Sequence, residues 1–355
     1  MNCSSGAIHR AIHGDNSWKI SKIIQTNNKR HTMRKITFFA VAVLVLLGCQ
    51  PKEEVFAQQP QGSVVYMTNE ITPEALVNIY QALGVPAEGR VAVKISTGES
   101  AKSNYLRPEL IKDLVQMVNG TIVECNTAYG GNRSTTANHR KAIEERGFNQ
   151  IAIVDIMDED DTMHLPVTDT KHLKYNIVGS HLANYDFMIN LAHFKGHAMG
   201  GFGGVLKNQS IGVASSSGKI YIHTGGKSQS NWTSVEQDDF LESMAASAQS
   251  VHNYFKQPGK NIIYINVMNN MSVDCDCDGN PSAPCLRDIG ILASTDPVAL
   301  DQACLDLVFN HTNSNGDDAK PLVDRINQKH GIHTVEYAEQ LGLGTRKYKL
   351  ISIDK

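Results

Sequence analysis

The stretch YDFMINLAHFKGHAMGGFGGVLKNQSIGVASSSGKIYIH, residues 185–223, joins an apolar run to a segment rich in glycine, histidine and lysine. Its first eight residues, Tyr185–Ala192, are mostly apolar and predict a buried strand. The remainder contains three histidines, three lysines and seven glycines. Buried imidazoles and amines need partners, and glycine lets the backbone approach a ligand. We therefore predict a site for a metal, an anionic group or both, with a solvated flexible loop as the alternative.

Short β-branched runs alternate with amphipathic segments along most of the chain. Strands are predicted at Val64–Thr68, Arg90–Ser96, Thr121–Cys125, Ile151–Asp155, Tyr185–Ala192, Asn261–Val267, Ile289–Ala293 and Tyr348–Ile353. Helices are predicted at Pro73–Leu83, Pro108–Val118, Thr135–Arg146, Val235–Tyr254, Pro297–Phe309, Leu322–Lys329 and Val335–Leu341. Residues 156–176 are acidic and irregular, as in an insertion or a domain edge. This alternation predicts an α/β fold whose twisted, mostly parallel sheet is flanked by helices, as one body or as two lobes with a cleft.

The N-terminal region has the pattern of an export signal. Met33 and two basic residues precede the apolar run Ile36–Gly48, which is short for a membrane span. The following Cys49 completes a sequence, LLGC, that resembles the bacterial lipobox and predicts a lipidated cysteine. The alternative is cleavage after Ala57, which would release a soluble periplasmic or secreted protein.

The chain divides into four parts on this interpretation. Residues 1–32 lie upstream of the natural start of the signal and are interpreted as a mis-assigned beginning. Residues 33–48 are the lipoprotein signal peptide, residues 49–62 a flexible polar tether, and residues 63–355 the α/β domain. The expected location is the bacterial cell envelope, with a lipid anchor in the outer or inner membrane.

Composition excludes two classes of protein. The formal net charge of −3 gives no reason to expect a nucleic-acid partner. Seven irregularly spaced cysteines do not form the dense framework of a small disulfide scaffold. With 41% hydrophobic and 19% charged residues, the chain has the composition of an ordinary globular protein.

Several residues of the glycine-rich segment are candidates for catalysis or metal binding. His197 and Lys207 are joined by flexible backbone, so that an imidazole and a cation can meet one ligand. A neutral imidazole ligates transition metals or acts as a general base, and His193 and His223 are further candidate metal ligands with His197. His193 and His197 would share one face of a helix, but the glycines that follow disfavour a long helix.

Other candidates would bind an anionic ligand or substrate. Lys94 sits at the end of a predicted strand, where ligands gather in parallel sheets. Arg133 follows a polar glycine turn and could contact a carboxylate or phosphate, or else belong to a capped surface turn with His139. Asp296 precedes Pro297 and is typical of a helix N-cap, although we also consider it a candidate ligand-binding residue. The further candidates from the glycine-rich segment are Lys195, Asn208 and Lys219.

A turn-rich loop after the strand at Asn261–Val267 carries Cys275, Cys277 and Cys285. Thiolates bind zinc, copper(I) or iron–sulfur clusters, but the spacing C-x-C-x7-C matches no standard zinc or ferredoxin pattern. In an exported protein, a disulfide between Cys285 and either of the other two is the alternative. The three aspartates of this loop, Asp274, Asp276 and Asp278, could instead bind calcium, without the spacing of an EF-hand.

Taken together, these residues resemble the domain of unknown function 362 family. The resemblance covers roughly residues 90–353 and rests on HFKGHAMGGFGGVLKN (His193–Asn208), Cys-Asp-Cys (Cys275–Cys277) and DIGILASTDPVALDQA (Asp288–Ala303). Many relatives are described as iron–sulfur proteins because they carry a ferredoxin-like insertion after the position of His223. This chain has TGGKSQSNW there and no cysteine run. No ferredoxin-type cluster is therefore expected.

A second, local resemblance concerns mechanism. The spacing of His197, Lys207 and His223 is similar to that in nickel-pincer lactate racemases. In that family the first histidine is a catalytic acid/base, the lysine holds the pincer cofactor and the last histidine ligates nickel. The resemblance implies these roles for the three residues, with His139 as a further catalytic contact.

Three functions follow as expectations. The leading one is an exported, metal-binding and redox-linked lipoprotein of the 362 family, with iron, zinc or nickel as the expected metal. The second is a racemase or epimerase that acts on a small 2-hydroxy acid with a metal-centred cofactor. The third is a non-catalytic envelope module that binds an anionic or sugar ligand.

Overall fold

The computed structural model describes residues 62–355. The predicted signal peptide, the upstream segment, Cys49 and most of the tether lie outside these residues. All described residues belong to one compact unit, Ala57–Lys355. Among them, no helix combines the length and the apolar character needed to cross a membrane.

In chain order, the strands of the described residues are β1 (Ser63–Thr68), β2 (Val91–Lys94), β3 (Thr121–Glu124), β4 (Val154–Ile156), β5 (Thr162–Pro166), β6 (Tyr175–Gly179), β7 (Phe187–His193), β8 (Lys195–His197), β9 (Gly201–Gly203), β10 (Asn261–Met268), β11 (Gly290–Ser294) and β12 (Tyr348–Ser352). The α-helices are α1 (Pro73–Ala82), α2 (Pro108–Met117), α3 (Thr136–Glu145), α4 (Val205–Ser210), α5 (Ser216–His223), α6 (Gln237–Tyr254), α7 (Pro297–Phe309), α8 (Lys320–Gln328) and α9 (His333–Gln340).

Eight strands form a central sheet in the order β12-β1-β11-β10-β7-β2-β3-β4. Every neighbouring pair is parallel except the two pairs made by β11, which runs antiparallel to β1 and to β10. The predicted α/β fold with a mostly parallel sheet is therefore confirmed. Two small antiparallel sheets, β5–β6 and β8–β9, lie outside the central one.

Helices cover both faces of the sheet. One hydrophobic core joins the sheet to α1 and α2, and includes Leu76, Ile111 and Ile189. A second core on the other side joins it to α6, α7, α8 and α9, and includes Ala248 and Leu300. All seven residues of β7 are buried, as expected for a central strand that is covered on both faces.

Most predicted bounds differ from the structure by one to three residues, and two differences have a local physical cause. The strand predicted at Ile151–Asp155 begins later, because residues 148–150 form a 3₁₀ turn whose carbonyl at Phe148 accepts hydrogen bonds from Ile151 and Ala152. Residues 156–176, predicted to be irregular, contain β5, which pairs in register with β6. β5 buries only Leu165, so its hydrophobic alternation is too weak to predict a strand.

The parallel strands place polar residues at one edge of the sheet. β2 ends at Lys94, β3 at Glu124 and β7 at His193. Because β2, β3 and β7 run in the same direction, their carboxyl ends meet at this edge. Ligand sites of open α/β folds form at such an edge.

Candidate functional site

A cavity of about 280 Å³ opens at the carboxyl ends of the parallel strands. It brings together most of the residues that the sequence singled out. The predicted residues that line it are Lys94, Arg133, Lys195, His197, Lys207, Asn208, Lys219, His223 and Cys277. Of the expected triad, His197, Lys207 and His223 thus converge on one cavity.

The backbone of the glycine-rich segment holds the ring of His197 in a defined orientation. β8 and β9 form a hairpin, and Gly201, the first residue of β9, has a φ of +80°, which favours glycine. Nδ1 of His197 accepts hydrogen bonds from the N–H groups of Gly200 (2.8 Å) and Met199 (3.2 Å). The neutral ring therefore carries its proton on Nε2. Burial, and then the charge of Lys207, lower the pKa of His197, which favours this neutral form.

The ring of His223 has the opposite tautomer. His223 is the last residue of α5, and its Nδ1 donates to the carbonyl of Lys219 at 2.7 Å. The ring stacks on Phe240 with 4.7 Å between centroids, and it meets the half-exposed Trp232 in an edge-on arrangement with 5.3 Å between centroids. Burial lowers the pKa of His223 to about 3. At neutral pH its Nε2 is consequently an unprotonated acceptor.

Cys275 and Cys277 form a thiol pair beside the cavity. Each offers a sulfur, His197 offers a ring nitrogen, and these three atoms lie within 4.8 Å of one another. A hydrogen bond from Cys277 holds the pKa of Cys275 well below its usual value; burial opposes this effect, and Lys207 and His197 reinforce it. The Nζ of Lys207 lies 3.4 Å from the Cys275 sulfur. Cys275 is thus the more acidic thiol of the pair, and the hydrogen bond with Cys275, together with burial, raises the pKa of Cys277.

Ion pairs neutralise most of the positive charge around the cavity. Glu124 pairs with both Lys94 and Arg133 at 3.1 Å, and Arg133 also pairs with Glu99 at 3.1 Å. Lys94 and Arg133 hold the pKa of Glu124 far below its usual value in spite of its burial, so that it remains a carboxylate. In a similar pair, Lys195 lies 2.9 Å from Asp276.

Lys219 is a buried lysine of the cavity without an acidic partner within the described residues. Its Nζ donates to the carbonyl of Ala214, and no carboxylate of residues 62–355 forms an ion pair with it. Burial lowers its pKa, although Cys125 and Asp158 oppose this effect. An ammonium group in this position gains from an anionic ligand, because burial without a counter-ion is costly.

Asn208 links the lysine at the end of β2 to the centre of the sheet. Its side-chain amide donates to the carbonyl of Lys94 at 3.0 Å and to Oδ1 of Asn190 at 2.7 Å. It therefore fixes the position of Lys94 as well as lining the cavity.

Four of the predicted site residues lie away from the cavity wall. Both nitrogens of His193 are engaged, by Asp276 at 2.8 Å and by the carbonyl of Asn269 at 2.6 Å. Asp296 caps α7 and accepts from Ser63 at 2.7 Å. The sulfur of Cys285 faces the Met271 carbonyl at 3.7 Å, outside the group of three donors.

His139, the fourth of these residues, is buried on α3 behind Glu124. Its ring contacts Asn126 at 3.2 Å and Thr97 at 3.4 Å, and burial lowers its pKa to about 3. It thus supports the charged network instead of facing the cavity.

Sequence reasoning missed Glu124, Tyr129 and Trp232. A charged residue at the end of the apolar strand TIVE was the available signal for Glu124, whereas Tyr129 and Trp232 lie in loops with no periodic pattern. Of the aspartates considered as calcium ligands, Asp276 pairs with Lys195, while Asp274 pairs with Arg325. These two carboxylates thus serve separate ion pairs.

Asp301 on α7 fixes the helix that carries Lys207. Its carboxylate accepts from the N–H groups of Val205 (2.9 Å) and Leu206 (3.0 Å), which begin α4. Residue 204 must be glycine here, because a Cβ would lie 2.2 Å from an oxygen of Asp301. Asp301, the last residue of the DPVALD sequence at Asp296–Asp301, therefore positions the site through the start of α4.

A comparison with models of protein families finds a match over most of the described residues. The model of a family described as a domain of unknown function (DUF362) matches residues 91–306. The chain belongs to this family. No curated protein matches it.

Two solved structures resemble this member of the DUF362 family at low identity. The lactate racemase apoprotein from Thermoanaerobacterium thermosaccharolyticum is 12% identical with a TM-score of 0.40, and the match covers 70% of this chain and 57% of the racemase. A protein from Thermotoga maritima is 10% identical with a TM-score of 0.39, and the match covers 77% of this chain and 59% of that one. The chain thus spans less than two thirds of the length of either.

Proposed function

We propose that this DUF362 protein binds a transition metal at Cys275 and Cys277 and holds a small anionic molecule in the adjoining cavity, for metal-dependent, redox-linked chemistry. The observation that carries the proposal is the buried group of Cys275, Cys277 and His197, with donor atoms within 4.8 Å, beside a cavity rich in lysine.

The donor set fits a thiophilic metal. Two sulfurs and an imidazole suit zinc, copper(I), iron or nickel better than calcium or magnesium. Because its neighbours lower the pKa of Cys275, a metal would displace its proton more readily than that of an ordinary thiol. A bound metal would supply Lewis acidity or redox chemistry at the cavity wall. To act as a neutral third ligand through Nε2, His197 would have to move its proton to Nδ1 and release the hydrogen bonds from the N–H groups of Met199 and Gly200.

The residues of this chain would bind and enclose the anion. Lys219 provides a cation without an acidic partner among the described residues, and Lys94 is fixed nearby by Glu124 and Asn208. Trp232 and Met199 line the cavity at its exposed side and would limit the access of water. The preferred ligand is therefore a small carboxylate or phosphate that carries at least one negative charge.

Metal analysis of the protein purified from its own host tests the proposal. We expect near-stoichiometric iron, zinc or nickel in the wild type, and a loss of at least ten-fold in C275S/C277S. C285S is the matched control, since Cys285 lies outside the donor group, and it should keep its metal. A wild-type protein without metal, or equal metal in all three proteins, would refute the metal site. Retained anion binding would then leave the non-catalytic ligand-binding module.

A second candidate is a racemase or epimerase that acts on a small 2-hydroxy acid. The opposite tautomers of His197 and His223 favour it. They place an Nε2–H donor and an Nε2 acceptor on one cavity at neutral pH. The Nε2 acceptor of His223 can take a proton as a general base, and the Nε2–H of His197 can donate a hydrogen bond to a hydroxyl or carboxylate oxygen of the substrate.

Incubation of the metal-containing protein with L-lactate in deuterated buffer tests this candidate. We expect D-lactate by chiral chromatography, deuterium at C2, and a rate at least 100-fold lower in H197Q. H164A, a substitution on the exposed edge of β5, should leave the rate unchanged. Metal-loaded protein that gives no D-lactate would contradict a lactate racemase while leaving the metal site intact.

A further inference from the structure

A second group of metal-ligating side chains lies on the surface, where α6 meets the turn between α8 and α9. Asp238 of α6 and the histidines His330 and His333 each offer a donor atom, and these atoms lie within 4.8 Å of one another. Asp238 and His330 are 92 positions apart in sequence, so the fold itself brings the aspartate to the two histidines. The two imidazole rings are nearly parallel, with 5.2 Å between centroids and an interplanar angle of 8°.

We propose that Asp238, His330 and His333 form a binding site for a divalent cation of the zinc, nickel or copper class, separate from the cavity. Two imidazoles and one carboxylate are a common donor set for such ions, with positions left for water. This inference does not depend on the function proposed for the cavity.

Glu242, next to this group, accepts a hydrogen bond from His333 and so orients its ring, as carboxylates do for metal-binding histidines. Nε2 of His333 donates to Glu242 at 3.2 Å, which leaves Nδ1 as the unprotonated nitrogen of a neutral ring. Glu242 also accepts hydrogen bonds from Lys171 and His172, so that its carboxylate is fixed in place. A carboxylate that holds the distal N–H of a ligating histidine is typical of zinc sites.

The other exposed group of this kind is a poorer candidate. Asp155, Glu159 and His181 also have donor atoms within 4.8 Å. However, both ring nitrogens of His181 are already engaged, by Asp155 at 2.8 Å and by Asp160 at 3.0 Å. Glu159 is paired with Arg140. This group is a closed salt-bridge network. In the first group, Nδ1 of His330 also contacts Asp238 at 2.6 Å, but Nδ1 of His333 has no partner within hydrogen-bond distance among the described residues, since its nearest carboxylate, Glu336, is 4.0 Å away.

Residues next to the proposed site contact the loop that orients His197. Gly331 packs directly on Gly201, since a Cβ added to Gly201 would lie 2.9 Å from the Cα of Gly331. The side chain of Gln237, next to Asp238, donates to the carbonyls of Met199 (2.8 Å) and Lys329 (2.9 Å). A cation that clamps residues 330–333 to α6 would therefore stiffen the 197–201 turn.

Zinc titration of the full chain in a C275S/C277S background tests the proposal, because that background lacks the thiols of the cavity. We expect one equivalent of Zn²⁺ in calorimetry, with an affinity at least ten-fold weaker in H330A/H333A and unchanged in H181A. Zn²⁺ should also slow hydrogen exchange at the amides of residues 199–201. D238N is a milder variant if the double substitution unfolds, and it should weaken binding in the same direction.

Two results would overturn the inference. One is the absence of saturable Zn²⁺ binding below about 1 mM, and the other is equal affinity in H330A/H333A and its parent. Neither result bears on the thiol pair, because the parent protein has no cysteine at positions 275 and 277. A failure of this site and a failure of the cavity metal can therefore be told apart.

Discussion

At the scale of single residues, hydrogen bonds to the backbone decide what each buried side chain can do. His197 and His223 are the same residue type in the same cavity, yet one accepts and the other donates at Nδ1. The partners of each buried carboxylate likewise decide how its negative charge is stabilised. Glu124 is stabilised by two cations, whereas Asp301 has only neutral donors, two backbone N–H groups and Asn266.

Asp301 should therefore make stability depend on pH in an unusual direction. Burial raises its pKa to about 6, above the reference value of 3.8. At pH values between these two pKa values, Asp301 is protonated in the folded state but ionised in the unfolded state. Its contribution to the free energy of unfolding therefore falls as pH rises from about 4 to about 6. The shift of roughly two units corresponds to roughly 3 kcal/mol.

Urea unfolding of the wild type and of D301N at pH values from 4.5 to 7.5 measures this effect. The advantage of the wild type over D301N should shrink by about 2 kcal/mol as pH rises through this window. Contributions from other carboxylates, such as Asp276 and Glu242, are common to both proteins and cancel in the difference. D113N, on the exposed face of α2, is the control, and the difference between its free energy of unfolding and that of the wild type should stay constant over this pH range. A constant difference between D301N and the wild type would show that Asp301 is ionised throughout.

At the scale of elements, the sequence predicted what periodicity and capping encode. Thr72 with Pro73 and Asp296 with Pro297 mark the starts of α1 and α7, and both side chains cap as the pattern indicates. The apolar runs of β7 and β10 likewise predicted buried strands. Such signals are local, and the sequence contains them completely.

The hairpin of β8 and β9 and the short helix α4 were not predictable in the same way. Glycines at 196, 200, 201, 203 and 204 remove the side chains that make a pattern, and the conformation depends on distant partners. Asp301 supplies acceptors for the start of α4, and Gly331 contacts the hairpin turn. The residues of the site could therefore be predicted by type, whereas their orientation, including the tautomers of the two histidines, required the tertiary structure.

At the scale of the whole molecule, the cavity lies at one edge of a sheet whose cores are elsewhere. Both hydrophobic cores lie against the faces of the sheet, and the cavity is built on strand ends, the hairpin and two short helices. Substitutions in the cavity therefore change chemistry with less risk to folding than substitutions in β7 or β10.

We propose that a lipid on Cys49 holds the protein at a bacterial membrane. The LLGC sequence supports the proposal, and the polar residues 49–62 would act as the tether. Within residues 62–355, no helix is both long and apolar enough to cross a membrane. In the native host, we expect a wild-type N-terminal peptide that begins with lipidated Cys49, and detergent-phase partitioning in Triton X-114.

C49A should block both lipidation and cleavage at this point, because the modified cysteine is the residue that the lipobox presents. Mass spectrometry should then find an unprocessed N-terminus, and the unfolding temperature of the purified domain should be unchanged, since Cys49 precedes both cores. C3A is the matched control, because Cys3 lies upstream of the predicted signal, and its product should be identical to the wild type. A wild-type peptide that begins at Gln58 would contradict the anchor. It would indicate cleavage after Ala57 and a soluble envelope protein, whose metal and substrate would have to be acquired after export.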